Sequence, residues 1–378
     1  MKLMPSALNQ NVVLALCAWA CTPLPASALL INTSPVSFNN SASVTDSEVG
    51  AATNNNGASL GTSTISQFDS NQGVLMGTTV ALTSTRTQST SVQSTDGPNN
   101  GNNNTVNSNG NGSSTANISG PGLNSSFVPA INNSGTCEGS RLGGCGGTAT
   151  ASAVTPTNLN QAVTPAGLDS YVGNGNVTLE RTAPTLSATQ ENNAFTGSET
   201  TQHTVTWAGE VGATYDYLLH AAPSFDGSSS MLTLNLDFGT FYVGDVATLG
   251  FDIFNMGNVD RVGLDLDSIF GTGDITKLLT NLSEFSGLTQ GTGNNWLAML
   301  DTSAAGTFSA SYSLSLSDAD VGAASSRFAY DNYLTLNLTG TVDERVVPGQ
   351  VNELPEPTTL FLMGLGLAGL GFSRRKKS

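Results

Sequence analysis

Hydrophobic and polar residues alternate with a period of two in several short segments of the chain. Residues 231–238 read M-L-T-L-N-L-D-F, so that the leucines fall on one face and the polar side chains on the other. Residues 308–317 and 333–340 repeat this pattern. Such alternation, interrupted by Gly, Asp and Asn, predicts antiparallel strands with one buried face. We therefore predict a mainly β protein with two antiparallel β-sandwich domains, immunoglobulin-like or jelly-roll-like in form.

Two segments depart from the alternation. Residues 275–285 have the apolar spacing of a short helix, which we expect to cap or cross a sandwich. Residues 97–126 are rich in Asn, Gly and Ser and contain almost nothing to bury. Their composition indicates a flexible loop or an irregular excursion between strands.

The first 28 residues have the three parts of a secretory signal peptide. A basic residue precedes an apolar run at residues 11–20, and Ala26 and Ala28 form an A-x-A cleavage site. A buried helix of the fold would not explain the two prolines that follow the run. A lipoprotein signal is the other alternative, because Cys17 ends a stretch close to a lipobox, although a leucine precedes it where a small residue is required.

A second apolar run, residues 358–372, lies near the C-terminus between two polar motifs. Pro355, Glu356 and Pro357 precede it, and a basic cluster follows at Arg374, Arg375, Lys376 and Lys377. The prolines keep the chain extended before the run. A helix of these fifteen residues would span about 22 Å, less than the roughly 30 Å of a bilayer core. The basic cluster stops transfer and stays cytoplasmic. A general C-terminal membrane anchor would share everything except the P-E-P motif.

This order of motifs resembles the PEP-CTERM sorting signal of Gram-negative bacteria, and the resemblance covers residues 355–378. It implies an inner-membrane-tethered precursor with a C-terminal transmembrane helix. It also implies cleavage at or near the P-E-P motif by an exosortase, an integral-membrane cysteine protease. The mature form is then expected at the cell surface or in the extracellular matrix. The family is typical of bacteria that make exopolysaccharide, so exopolysaccharide or biofilm is an expected association.

The body of the chain carries two further resemblances. Residues 38–46 and the F-D-x-x-x-G-x-L-x-G-x-x-x-x-L-T rhythm of residues 65–83 resemble the choice-of-anchor E domain. This resemblance implies one β-sandwich at 34–220, with residues 97–126 as a polar insertion. Residues 236–251 are similar to immunoglobulin-like surface modules. We accordingly expect a second sandwich at 223–345 and a linker at 346–354.

The charge of the chain limits its partners. Only 11% of all residues are charged, and the net charge is −16. Residues 29–355 hold seven bases and 27 acids, which leaves the expected mature form at −20. Nucleic acids and anionic membrane surfaces are therefore excluded as favourable partners. Cations or neutral polymers suit this charge better.

Two of the four cysteines remain after the predicted signal is removed. Cys137 and Cys145 are separated by a Gly-rich stretch, E-G-S-R-L-G-G. An even pair in an exported chain predicts a disulfide. Free thiols or a metal site are the alternatives, but no histidine is nearby and two thiolates alone do not make a zinc site.

Catalytic chemistry is poorly represented in the sequence. The expected mature chain has two histidines, His203 and His220, and we predict that both are exposed strand residues. No G-x-S-x-G, H-E-x-x-H or P-loop motif is present. We therefore predict no catalytic residues and no enzymatic activity.

Acidic pairs are the one candidate for a metal site. Asp265 with Asp267, and Asp318 with Asp320, place two carboxylates on the same face of a strand. Calcium binds oxygen ligands of this kind. No complete D-x-D-x-D-G loop is present, so solvated turns are the default interpretation and calcium is a weak candidate. No other cofactor is expected.

Exposed aromatic side chains would favour carbohydrate binding, because sugars stack on them. The candidates, each of which would also suit a core, are Trp207, Trp296, Tyr215, Tyr217, Tyr242, Tyr312, Tyr330 and Tyr333. Our main hypothesis is an exported, non-enzymatic cell-surface or matrix protein. A carbohydrate-binding module and a secreted hydrolase are the alternatives. The expected partners are the secretion translocon, signal peptidase, an exosortase and exopolysaccharide.

Overall fold

Nearly every regular element of the protein is a β-strand, as the alternating pattern predicts. The structure is a computed structural model that describes residues 28–47, 49–94, 105–140, 145–191, 199–257 and 260–345. The predicted signal and C-terminal helices lie outside these ranges, apart from the exposed Ala28. Helical turns within them are three short 3₁₀ segments, Ser70–Gln72, Pro165–Tyr171 and Ala324–Ser326. No helix in the described ranges is long and hydrophobic enough to cross a bilayer.

The strands fall into two groups along the chain. The first group is β1 Leu29–Asn32, β2 Val36–Asp46, β3 Ala52–Asn54, β4 Ala58–Ser66, β5 Val74–Ser94, β6 Thr105–Gly120, β7 Leu123–Ser140, β8 Cys145–Pro156, β9 Leu159–Ala162, β10 Asn176–Ala183, β11 Leu186–Gln190 and β12 Glu199–Leu218. The second group is β13 Pro223–Ser224, β14 Thr233–Tyr242, β15 Ala247–Asn255, β16 Leu264–Gly273, β17 Leu278–Thr280, β18 Phe285–Leu288, β19 Thr292–Leu300, β20 Gly306–Asp318 and β21 Ala329–Asp343.

The first group forms two six-stranded sheets that pack face to face. Sheet I has the order β1–β12–β5–β8, with β2 also pairing with β12 and β9 with β5. Sheet II has the order β3–β11–β6–β10–β4, with β7 also pairing with β6. Leucine, isoleucine and valine side chains fill one half of the space between the sheets. Trp207 lies at the boundary of this core. It forms edge-to-face contacts with Phe38 and Phe127, whose ring centroids lie 6.1 and 5.6 Å from its own.

The segment predicted to be a loop is a central part of sheet II. The expectation for residues 97–126 is wrong over 105–120 and 123–126, which belong to β6 and β7. Inward positions of β6 include Gly110 and Gly112, whose missing side chains leave room for Thr201 and His203 of the opposite sheet. Side chains of sheet I fill the space between the sheets at these positions, so β6 lacks the alternating hydrophobic residues of an ordinary buried strand.

The second group also forms two facing sheets. Sheet III has the order β13–β15–β19–β17, and sheet IV the order β14–β21–β20–β16–β18. All pairs are antiparallel except β14 with β21, which is parallel and departs from the expected antiparallel arrangement. The parallel register aligns Leu234 with Leu336 and Leu236 with Leu338, so that two similar L-x-L-x-L patterns direct their leucines to the same core.

The short helix predicted at residues 275–285 is absent from the structure. A single turn is closed by bonds from the Lys277 and Leu278 N–H groups to the Asp274 carbonyl, and the chain then enters β17. Leu278 is fully buried and pairs with Leu300 of β19. The segment is therefore extended because this conformation buries Leu278 in the core, although the spacing of its apolar residues is typical of a helix.

The two sandwiches contact each other where β12 leaves the first. Val74 and Leu218 of the first group pack into the core of the second. The Ala323 N–H donates to the Leu75 carbonyl at 2.8 Å. His220 lies between Asp318, whose carboxylate is 2.7 Å from its Nδ1, and the Ser70 carbonyl, 2.7 Å from its Nε2. Apolar packing, backbone carbonyls of the first sandwich and the Asp318 carboxylate of the second therefore hold this junction.

Candidate functional site

The described body begins and ends beside the two predicted processing segments. Ala28 is exposed and directly precedes β1, while Ala26 lies outside the described residues. At the other end β21 stops at Asp343, and Arg345 pairs with Asp245 at 2.8 Å. The sorting residues Pro355, Glu356 and Pro357 and the basic cluster Arg374, Arg375, Lys376 and Lys377 also lie outside the described residues.

One of the two predicted disulfide cysteines can be placed in the structure. Cys137 on β7 is buried, with 1% of its surface exposed, and it is disulfide-bonded. The backbone of Cys145 begins β8, but its side chain lies outside the described part of the chain. The pairing of these two cysteines stays a prediction.

The four acidic candidates for calcium all have protein partners. Asp318 accepts bonds from the Ala221 and Phe328 N–H groups, in addition to His220. Arg327 binds Asp320. Asp265 accepts from the Gly287 N–H at 2.6 Å, and Asp267 accepts from the Ser317 hydroxyl at 3.1 Å.

Burial is the main cause that raises the pKa of Asp265, and repulsion from Asp267 adds to it. Within the described ranges, no group of three or more His, Cys, Asp or Glu side chains is arranged to hold a metal ion. The calcium hypothesis stays a prediction.

Both histidines are less exposed than predicted. His203 on β12 is fully buried, and its Nδ1 lies 2.9 Å from the Thr90 hydroxyl. Burial lowers the pKa of His203 from 6.5 to about 4, against a smaller opposing effect of a backbone hydrogen bond at Ser89. His220 belongs to the junction, where its ring stacks on Phe328 with centroids 3.8 Å apart. Tertiary packing therefore overrides the expectation that both lie on solvated strand faces.

His203 belongs to a cluster of buried polar side chains in the other half of the first sandwich, here called the polar layer, where Val44 and Val92 are its buried hydrophobic neighbours. The Ser108 hydroxyl donates to the Glu199 carboxylate and accepts from the Gln190 amide nitrogen. The Gln190 amide oxygen accepts from the Thr201 hydroxyl. These residues occupy inward positions that an ordinary sandwich gives to aliphatic side chains. Sequence reasoning missed this layer because alternation shows which side chains point inward, and not which polar groups meet there.

Arg86 and Gln88 of β5 extend the polar layer towards Trp207. Both are buried, and the Nε and Nη1 atoms of Arg86 and both amide atoms of Gln88 have no hydrogen-bond partner in the structure. Burial lowers the pKa of Arg86. Such groups cost free energy when they lack partners. The burial of these two side chains makes the polar layer a distinctive feature of the first sandwich.

The outer faces of the first sandwich carry two shallow grooves without a charged side chain. The groove on sheet I, here called the hydroxyl groove, has a volume of about 370 Å³. Its lining residues are Thr45, Ser89, Ser91, Gln93, Thr200, Gln202 and Thr204. The groove on sheet II, here called the amide groove, has a volume of about 310 Å³. Its lining residues are Asn111, Gly112, Ser113, Asn132, Asn133, Ser134, Ser187 and Thr189.

Strand pairing brings the lining groups of the hydroxyl groove together. Gln202 of β12 lies opposite Thr45 of β2 on one side and Ser91 of β5 on the other. Thr200 and Thr204 flank it on the same face of β12. The groove therefore offers a regular set of neutral hydrogen-bond donors and acceptors.

None of the aromatic candidates lines the hydroxyl groove or the amide groove. Trp207, Tyr215 and Tyr312 are buried in the cores. Trp296, Tyr217 and Tyr330 are half-buried and contact other aromatic rings. The two exposed tyrosines, Tyr242 and Tyr333, lie near opposite ends of the second sandwich.

Comparison with known proteins identifies the C-terminal segment. Residues 353–376 match the model of the PEP-CTERM protein-sorting motif. No curated protein matches the chain. The likeness of residues 34–220 to the choice-of-anchor E domain stays a prediction. The match agrees with the order of P-E-P motif, apolar run and basic cluster, so the chain carries the PEP-CTERM signal of an exported protein whose membrane-anchored precursor is sorted by an exosortase.

Proposed function

We propose that the exported body is a non-enzymatic surface or matrix protein that binds neutral exopolysaccharide through the grooves of its first sandwich. The observation that carries this proposal is the pair of uncharged grooves lined by hydroxyl and amide groups. Sugar hydroxyls both donate and accept hydrogen bonds, as Ser, Thr, Asn and Gln side chains do. The sorting motif supports the proposal because it directs the protein out of the cell.

Charge restricts the polymer to a neutral class. The expected mature form carries −20, which repels polyanions, and neither groove contains a base that would attract them locally. Because no aromatic side chain lines either groove, a sugar bound there gains mainly hydrogen bonds. The binding of single sugars is then weak, and retention depends on many contacts along one polymer chain.

The proposal is tested by blocking the hydroxyl groove with charge. The double variant Ser91→Glu, Gln202→Glu places two carboxylates in the groove. The matched control, Thr307→Glu with Ser309→Glu, changes two exposed positions of β20 in the second sandwich. Co-sedimentation with exopolysaccharide from producing cells should weaken about tenfold in the groove variant only, the equivalent of roughly 1.4 kcal/mol. Equal retention of the groove variant, the control and the parent protein refutes the groove assignment.

The absence of catalysis is tested separately. Exopolysaccharide incubated with the exported protein should keep its chain length, measured by size-exclusion chromatography. A progressive fall in chain length would instead support the secreted hydrolase hypothesis.

Sorting has its own experiment. Substitution of Pro355, Glu356 and Pro357 by alanine should leave the tail-bearing precursor in the membrane fraction. The intact mass of the parent protein outside the cell should lack the Arg374–Lys377 cluster. An exported surface form that keeps this cluster contradicts cleavage.

A further inference from the structure

One turn of the second sandwich exposes an unusual set of hydrophobic side chains. In the turn Tyr242–Val246, which joins β14 to β15, Tyr242 is 48%, Val243 36% and Val246 87% exposed. Val246 is the most exposed large hydrophobic residue of the described part of the chain. Three such residues within one five-residue turn indicate a contact surface rather than scattered surface apolarity.

The turn has a defined conformation. The Asp245 N–H donates to the Tyr242 carbonyl at 3.0 Å, and the Gly244 N–H donates to the Thr302 carbonyl at 3.2 Å. The Thr302 hydroxyl donates to the Asp245 carbonyl at 2.6 Å. Backbone bonds to the neighbouring loop therefore hold the turn while its apolar side chains face outward.

The turn lies where the chain leaves for the membrane tail. Tyr242 is opposite Asp343 in the parallel pair, and the Val243 N–H donates to the Asp343 carbonyl at 2.9 Å. Arg345 binds Asp245 of the turn itself. The twelve residues 346–357 then separate Arg345 from the apolar run of the sorting signal. Twelve residues span at most about 40 Å, so the tail holds this end of the body close to the bilayer.

The opposite end of the second sandwich cannot face the membrane in the same way. Asp318, Ala323 and Tyr330 lie at that end and contact the first sandwich or the segment that leads from it. Among the described residues, the Tyr242–Val246 end is therefore the end of the second sandwich that does not contact the first, and it is also the end from which the tail leaves.

We propose that the Tyr242–Val246 turn docks on the lipid surface of the inner membrane while the precursor is still tethered by its sorting tail. Tyrosine favours the membrane–water interface, and the valines gain from contact with the acyl boundary. Docking holds the start of the 346–357 segment at the bilayer surface, which presents the P-E-P motif to a membrane protease. The proposal rests on the sorting motif and is independent of polysaccharide binding.

Charge near the turn selects the type of lipid. Arg345 neutralises Asp245, and Lys277 neutralises Asp301 in the neighbouring loop at 2.7 Å. Asp343 and Glu344 remain exposed beside the turn. Their negative charge opposes anionic headgroups, so the proposed surface is zwitterionic.

The test places a fluorescent reporter on the turn. The tail-bearing chain, purified from cells that lack the exosortase, is reconstituted into vesicles of zwitterionic phosphatidylcholine with brominated acyl chains. Val246→Trp is compared with Val154→Trp, a second exposed valine (66%) that lies on the first sandwich. Subtraction of the parent spectrum removes the native tryptophans, and unchanged native emission in detergent confirms that each variant is folded.

Bromine should quench the tryptophan at position 246 several-fold more strongly than the one at position 154. Equal quenching at the two positions overturns the proposal. Shielding of position 246 that develops only when the exosortase is added also overturns it, because that result assigns the turn to the enzyme and not to lipid.

Discussion

Burial of His203 makes the first sandwich sensitive to acid. The side chain is fully buried between sheets I and II, and its pKa of about 4 lies below the 6.5 of an unfolded histidine. The folded state therefore favours the neutral ring, while the unfolded state takes up a proton as the pH falls below 6.5. As far as His203 affects it, the free energy of unfolding is therefore highest above pH 6.5, and it decreases progressively as the pH falls towards 4.

The size of the effect follows from the difference in pKa. At 1.36 kcal/mol for each pKa unit, the free energy of unfolding falls by about 2 kcal/mol at pH 5 and by about 3 kcal/mol at pH 4. Thr90 and Gly112 are the close neighbours of the ring, and neither carries a charge. The buried charged side chains around this part of the sandwich are Asp46, which lies opposite Thr201 on the neighbouring β2, Glu199 on the same strand and Arg86 on β5. Desolvation, and not an ion pair, therefore dominates the effect.

The assay compares the parent protein with His203→Gln, which keeps a polar group near Thr90 but does not titrate. Both are studied with Trp296→Phe, so that the buried Trp207 alone reports denaturant unfolding of the first sandwich. Carboxylates titrate equally in both proteins, and their contribution cancels in the difference. The parent should lose about 3 kcal/mol more than the variant between pH 7 and pH 4. Parallel loss of stability in the two proteins would refute the reasoning.

Two further predictions concern packing and the junction. A Cβ at Gly112 would lie 2.0 Å from His203 Nδ1, so Gly112→Ala should lower thermal stability by about 1–3 kcal/mol, with partial rescue by His203→Ser. Gly250→Ala, whose new atom has nothing nearer than 3.9 Å, is the control and should change stability by less than about 0.5 kcal/mol. Asp318→Ala removes a buried acceptor of three hydrogen bonds and should destabilise the second sandwich by about 3 kcal/mol in calorimetry. Asp320→Ala, at a 90% exposed side chain, should cost under about 0.5 kcal/mol, and a similar cost for both aspartates would contradict the junction's role.

The alternation of side chains was sufficient to predict three strands of the second sandwich, β14, β20 and β21. Leu334, Leu336 and Leu338 fall on one face in the sequence and are all fully buried in the structure. The direction of pairing could not be predicted, because the pattern is the same for parallel and antiparallel neighbours. The parallel pair β14–β21 joins segments about 100 residues apart, for which no turn sequence sets the register.

The first sandwich was harder to predict because its inner surface is partly polar. Residues 105–120 have no hydrophobic face at Ser108, Gly110 and Gly112, yet they form an inner strand opposite Thr201 and His203. A pattern rule that equates inward with apolar must fail at such positions. The grooves were missed for a related reason, since neutral hydroxyl and amide residues carry no motif and gain meaning only when strands bring them together.

The hydroxyl groove and the sorting tail lie in different parts of the body, so sorting and the proposed polymer binding use separate regions of the chain. Thr200 and Thr204 of the hydroxyl groove lie near the start of β12, whose other end enters the junction at Leu218. The Tyr242–Val246 turn lies at the end of the second sandwich farthest from that junction. The hydroxyl groove and the start of the tail therefore each lie at the end of their own sandwich that is farther from the junction. A polymer in the groove and a protease at the tail therefore do not compete for space. Under the proposed function, cleavage releases a protein that already holds its polymer, so the sorting motif controls where the body goes and the groove controls what it binds.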